Sequence, residues 1–400
     1  MSSASSDGAS TIPSSSPPPS PFVPLAGGFV LNGVAAVLLG PLIPVMSPRW
    51  QVEPSEVAVL FLSQFVGSAV GSWLSSRNLR RSLLTGYALI AVGFLGLAFA
   101  GWPLAVMAGG LLGLGLGLTI PSTNLWLALT LGSRRGSGLA ALNFVWGLGA
   151  TLCPLIFALE GLGVETIPLL SALAVVALGV VGWLATELGS SPAAEDPQQV
   201  PKSDAAEGSM LRARALPLLA VLMFLYVGAE TALGGWLVTL SEQLGDSPSM
   251  VSMLIGSGFW GAILMGRGLA ILLLRKVEEA WLYRASLALA LTGVVMVLAV
   301  PTRGGIATAA LLAGLGLAPL FPLHVSFLTA ATARDRARGT GWVFACAAVG
   351  GGTVPWLTAQ LSGETLRSGF VVPLLALMVM VAAFEGLGRR APQVLVGGRA

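Results

Sequence analysis

From Phe22 onward, apolar stretches follow one another at close to the roughly 20 residues that a helix needs to cross a bilayer. Lipid offers a backbone amide no water to bond. Such stretches therefore take the form that satisfies its own amides, the α-helix. The pattern predicts twelve helices, over residues 22–46, 57–76, 83–100, 103–131, 138–162, 167–186, 216–240, 249–274, 280–300, 305–331, 341–361 and 371–385. Only 10% of the residues are charged and 55% are hydrophobic, far from the roughly 25% charged of a soluble domain. The 52 glycines suit helices that approach closely in lipid. The expected fold is an all-α membrane protein of twelve transmembrane helices in two six-helix bundles.

Residues 1–21 are rich in Ser and Pro, carry one charge (Asp7) and show no periodicity, which predicts a disordered tail without the basic start of a signal peptide. The polar stretch 188–212 reads as a flexible linker between bundles at 22–187 and 213–388, with a second tail at 389–400. Arg77, Arg80, Arg81, Arg134, Arg135, Arg275, Lys276, Arg334, Arg336, Arg338, Arg389 and Arg390 fall on one side, and Arg49, Arg303 and Arg367 on the other. The excess of basic residues in cytoplasmic loops then puts both termini and the linker in the cytoplasm of a multi-pass protein of the inner (plasma) membrane. Cys153 and Cys346 lie inside apolar runs and read as small buried hydrophobes, neither disulfide nor metal ligands. A net charge of +3 with no basic patch excludes nucleic acid as a partner.

The chain is also duplicated. A shift of 201 superposes Gly113-Leu-Gly-Leu on Gly314-Leu-Gly-Leu, Pro121 on Pro322, Arg135 on Arg336, Gly138 on Gly339, Gly149 on Gly350 and Pro154 on Pro355. A shift of 195 puts Phe29 and Gly33 on Phe224 and Gly228, and Gly71 and Arg80 on Gly266 and Arg275. Six spans separate equivalent positions, so the halves have the same orientation in the membrane. Parallel repeats of this kind belong to carriers whose site lies near mid-membrane between two bundles that rock.

Several stretches resemble a known family. Gly71-Ser-Trp-Leu-Ser-Ser-Arg77-Asn-Leu-Arg80-Arg81 is similar to the glycine-and-arginine loop after the second helix of the major facilitator superfamily, without that motif's usual acidic residue. Tyr226-Val-Gly-Ala-Glu230 running to Trp236, Phe259-Trp260 with Gly266-Arg267, Gly350 to Trp356, and Leu142-Asn143 with Gly147 and Pro154 resemble its fucose permease type, the fucose-galactose-glucose symporter family. That resemblance implies transport of a hexose or related sugar, coupled to an ion. The acids that fucose permeases use on the first and fourth helices have no counterpart in residues 31–40 and 113–123.

Among 18 acids, Glu230 alone lies well inside a predicted span, where a carboxyl costs about 2.5–3.5 kcal/mol to insert and therefore needs a cavity or a partner. It is the candidate for coupling and for sugar binding. The alternative is that it pins a broken middle of the seventh helix, where Gly234-Gly235 would free backbone groups. Arg267 is the basic residue deep within a span, and its reach to Glu230 is open. It serves either as an anchor to carbonyls or in the site. His324, the single histidine, either hydrogen-bonds a solute or packs.

A sugar offers hydroxyls to amides and flat C–H faces to aromatic rings. Gln64, Asn124 and Asn143 supply amides, and Trp126, Trp146, Tyr226, Trp260, Trp342 and Trp356 supply rings. Asn143 with Trp146, and Tyr226 with Glu230, share helix faces by their spacing. Interhelical bonding for the amides and interfacial anchoring for the tryptophans are the competing readings. Arg77 and Arg81 are candidate gating residues. No nucleotide, metalloprotease or nucleophile motif occurs, so neither an enzyme, a metal site nor a cofactor is expected. The expected partners are a sugar, a proton or sodium, and the bilayer, with the chain a monomer. A drug or metabolite exporter of the same fold, a uniporter and a sodium-coupled carrier remain as alternatives.

Overall fold

The computed structural model describes residues 22–75, 78–131, 135–188, 206–245, 250–331 and 336–395, and the side chains of 135–136, 206–214 and 336–340 lie outside that description. Among the described residues eleven helices are long and apolar enough to span a membrane, and one bent pair, taken as a single span, makes a twelfth. In chain order α1 is the bent pair Phe22–Val37 and Leu39–Trp50; α2 is Pro54–Leu74, α3 Leu79–Phe99, α4 Trp102–Leu131, α5 Arg135–Ala158 and α6 Thr166–Glu187. The second six are α7 Ala206–Glu242, α8 Met250–Leu273, α9 Glu279–Ala299, α10 Arg303–Ala331, α11 Arg336–Gln360 and α12 Leu366–Arg390. The expected tail at residues 1–21, most of the linker and Arg77 lie outside the described residues.

The bend in α1, 51°, is a departure from the single helix expected over 22–46. Its cause is local. Pro41 and Pro44 carry no N–H for the carbonyls four residues back, at Val37 and Gly40, and each ring crowds the preceding turn. Gln64 of α2 braces the same stretch, donating its amide N–H to the carbonyls of Ala35 (3.2 Å) and Ala36 (3.4 Å) just before the bend. The seventh helix departs in the opposite sense. No break occurs at Gly234-Gly235, and α7 is helical through both. Those glycines serve approach instead: a side chain on Gly40 would strike the Gly234 carbonyl, and one on Gly235 would strike the Phe61 ring.

The duplication read from sequence reappears as equivalent contacts. In the first half α1 packs on α5, α2 on α4, and α3 on α4 and α6; in the second α7 packs on α11, α8 on α10, and α9 on α10 and α12. Glycines set the crossings. A methyl on Gly149 would overlap the Val30 carbonyl of α1, and one on its repeat equivalent Gly350 would overlap the Phe224 carbonyl of α7. Likewise Gly113 lies against the backbone of Gln64, and Gly314 against Phe259, which is Gln64 shifted by 195. Small residues are what let helices touch backbone to backbone where lipid provides no hydrophobic drive.

Polar ties hold the third helix of each half to its sixth. Arg80 donates from Nε to the Leu188 carbonyl (3.1 Å) and from Nη2 to the Ala185 carbonyl (3.2 Å) at the end of α6. Arg284 of α9 bonds both carboxylate oxygens of Glu385 on α12, at 2.7 and 3.2 Å. Because α12 runs through Arg390 and past the expected end at 385, Glu385 lies inside that helix. The outward faces carry apolar side chains such as Val66, Val92, Met107, Val175, Met265 and Leu375, all exposed. That is the surface of a protein whose solvent is hydrocarbon.

The halves meet through α1–α7, α2–α11 and α5–α8. Gly351 lies against Phe65, and the Phe61 and Trp236 rings are 5.4 Å apart. Ser257 donates to the Thr151 carbonyl at 2.8 Å, and Gln360 donates to the Ser55 carbonyl. All of these lie between mid-depth and the side opposite the starts of α1 and α7.

Candidate functional site

One charged cluster sits at mid-depth on this seam. Helix α7 carries Tyr226 and Glu230 one turn apart, so both side chains fall on one face. The Tyr226 hydroxyl donates to Glu230 Oε1 at 2.6 Å. From α8, Arg267 brings Nη2 to the same oxygen at 3.4 Å, which closes an ion pair whose reach the sequence left open. Its guanidinium lies 5.8 Å from the ring centres of both Trp146, on α5 of the other half, and Phe321, on α10. The Trp260 ring meets Trp146 edge-on at 6.0 Å, in space that Gly234 leaves free.

The pair is only partly shielded, with Arg267 21% exposed and Glu230 13%. Tyr226 is fully buried and Trp260 is 6% exposed. Two donors in the cluster, Arg267 Nε and Trp260 Nε1, are buried without a hydrogen-bond partner among the described residues. An acceptor, unused donors and ring faces therefore converge between the halves. That set can hydrogen-bond and stack a small polar solute. A carboxyl that leaves or enters an ion pair can also change its proton.

The other residues singled out in the sequence are placed elsewhere. His324 is fully buried behind the site; its Nε2 is 2.8 Å from the Tyr283 hydroxyl, and its ring stands edge-on to Tyr226 at 5.5 Å. Gln64, 4% exposed, is engaged at the α1 bend. Asn124 and Asn143 bond their own helices, at the carbonyls of Ile120 (2.8 Å) and Leu139 (3.0 Å), and Asn143 is exposed. Trp342 is 52% exposed, and Trp356 is half-buried against the core. The backbone N–H of Arg81 bonds the Asn78 side chain that caps α3, while its own side chain is exposed.

Sequence reasoning missed Phe321 and Asn32. Phe321 lies three residues before His324 and shares its helix face, the one signal that pointed to it. Asn32 is an amide in an apolar span, fully buried; it donates to the Tyr87 hydroxyl (3.2 Å) and accepts from Thr119 (2.9 Å). A cavity of about 430 Å³ lies away from the cluster, at the far ends of α1 and α7, lined in part by Ile43, Pro48, Gln51, Glu53, Thr239 and Gln243. Among the described residues no group of His, Cys, Asp and Glu could hold a metal ion.

Comparison with known proteins follows the same lines. A Glucose/galactose transporter of Brucella abortus biovar 1 (strain 9-941) is 30% identical over 198 residues, 46% of this chain and 45% of that protein. The chain thus spans about half the length of the curated relatives it matches. The crystal structure of a mutant of the peptide transporter POT in complex with alafosfalin superposes with a TM-score of 0.75 at 16% identity, over 95% of this chain and 96% of that one. A mutant of the E. coli fucose:proton symporter FucP gives 0.60 at 19% identity, over 91% and 98%. These two likenesses speak to the fold alone. The sequence pattern of the Major Facilitator Superfamily itself matches residues 25–303, from the first turn of α1 to the first residue of α10. Twelve spans, a parallel repeat with equivalent packing in each half, and that match lead to one statement of kinship: the chain belongs to the major facilitator superfamily.

Proposed function

We propose that this protein is a secondary carrier that moves a sugar, a hexose such as glucose, across the membrane by alternating access, with Glu230 coupling it to a proton. The observation that carries this reading is the Glu230–Arg267 pair held at mid-depth between two repeat-related halves and still partly exposed. The Brucella relative, whose name assigns it glucose and galactose, supports the substrate class. Trp146 and Trp260 form the ring surfaces of the site, Glu230 and Arg267 supply its hydrogen bonds, and the Tyr226 hydroxyl holds the Glu230 carboxyl in place. Gln64 and His324 hold the helices that carry it.

The halves, 22–187 and 213–388, act as the two moving bodies, and glycine-lined crossings within each half keep each rigid. In the described conformation the halves touch from mid-depth to the far side. The basic loops support a cytoplasmic assignment for the side on which α1 begins and insertion in the inner membrane. A monomer suffices, because both halves of the site come from one chain.

A proton-independent uniporter is the second reading, and the ion pair itself favours it, since Arg267 satisfies the Glu230 carboxylate without a proton. Uptake of labelled glucose into proteoliposomes, with and without an inward pH gradient, separates the two. Gradient-driven accumulation that Glu230→Gln abolishes while sparing glucose exchange supports symport. Accumulation intact in that variant removes Glu230 from coupling, equal uptake with and without the gradient supports the uniporter, and no glucose uptake at all rejects the sugar reading.

A further inference from the structure

Arg267 touches both halves of the molecule. Its Nη2 pairs with Glu230 of the second half at 3.4 Å, and its guanidinium faces the Trp146 ring of the first half at 5.8 Å. The Phe321 ring lies at the same distance from the guanidinium. The groups near Glu230 that carry or exchange charge are Tyr226 on its own helix, Arg267 from α8 and, behind the Tyr226 ring, His324 from α10. The spans that pack around it offer no other: residues 22–48, 57–74, 138–158, 341–360 and 368–384 contain no Asp, Glu, Lys, Arg or His.

We infer that Arg267 is a positioning residue that transmits the charge state of Glu230 across the seam, as a latch between Glu230 and Trp146. The inference rests on Glu230 being the proton-carrying acid. Proton uptake from water on one side forms an O–H bond on the carboxylate and cancels its charge; release to the other side restores it. Arg267 stays cationic throughout. With Glu230 ionised, the guanidinium is divided between carboxylate and ring. With Glu230 neutral, the attraction to α7 is gone, and the Trp146 face is the strongest remaining neighbour of the cation. The seam at Trp146 and Arg267 then tightens, drawing together the ends of α5 and α8 that lie toward the start of α1. One charge cancelled at the site becomes a bias between two arrangements of the halves.

The test needs no sugar. In a Cys153→Ala, Cys346→Ala background, spin labels at Phe144 on α5 and Leu272 on α8, both 55% exposed, report the distance between the halves in lipid vesicles. Acidification from pH 8 to pH 5 is expected to raise the short-distance population about fivefold, the change that a cation–π contact of ordinary strength carries. Glu230→Gln should hold that population already at pH 8. Trp146→Leu should abolish the rise, and Trp146→Phe, which keeps a smaller ring in the same place, should retain part of it. An unchanged response in the Trp146 variants, or no response in the native protein, overturns the latch. A pH response without glucose uptake leaves the latch standing and rejects the sugar reading, whereas uptake without a response does the reverse.

Discussion

Substituting alanine at Gly149 and at its repeat equivalent Gly350 should destabilise the protein by similar amounts. At each site the new methyl would overlap a backbone carbonyl oxygen of the facing helix, Val30 on α1 or Phe224 on α7. Backbone cannot swing aside as a flexible side chain can, so relief requires the helices to separate by about an ångström or more toward ordinary contact distances. Overpacking of this kind costs about 1–3 kcal/mol. At ~2 °C per kcal/mol for a large chain, Tm falls by about 2–6 °C. Gly182 on α6 is the control, because a methyl there meets nothing within 4 Å. Gly182→Ala should cause no loss, and the helix preference of alanine allows a gain of up to about 1 kcal/mol. Thermal unfolding in detergent, followed by the surviving monodisperse fraction, measures all three. Native-like stability in both Gly149→Ala and Gly350→Ala, or equal damage from Gly182→Ala, would refute the assignment of these glycines to the crossings.

Three further outcomes follow from contacts already described. Gln64→Leu leaves the Ala35 and Ala36 carbonyls without their amide donor, and a loss of about 1–2 kcal/mol is expected in the same unfolding assay. Tyr226→Phe removes a hydrogen bond to a charged group while leaving the ion pair, so gradient-driven glucose uptake should fall by about tenfold or more with exchange affected far less. Arg284→Ala breaks a pair whose members are 55% and 43% exposed, so stability should change by less than about 1 kcal/mol, and added salt should shrink the difference further.

Helix number and the duplication were legible because both rest on signals that lipid makes obligatory: length of apolar run, and glycine where backbones touch. The repeat register read from Gly149 and Gly350 is the register of the helix crossings. Breaks were less legible. Paired glycines at 234 and 235 suggested a broken α7, yet a helix in lipid keeps its own hydrogen bonds, and the glycines went to close approach. Prolines at 41 and 44, which do remove backbone bonds, bent α1 instead. The candidate site was half legible. An acid inside a span announces itself, but its partner depends on the rotation of α8 against α7, which no periodicity encodes. The same limit hid Phe321 and left Asn143 bonded to its own helix on an exposed face.

Glucose-evoked proton movement in proteoliposomes tests the account at its centre. With no pH gradient imposed, adding glucose outside should draw protons inward, read as alkalinisation of the outer medium, and Glu230→Gln should take up glucose toward equilibrium with no such signal. Glucose entry in the native protein without alkalinisation, or an undiminished signal in Glu230→Gln, would contradict it.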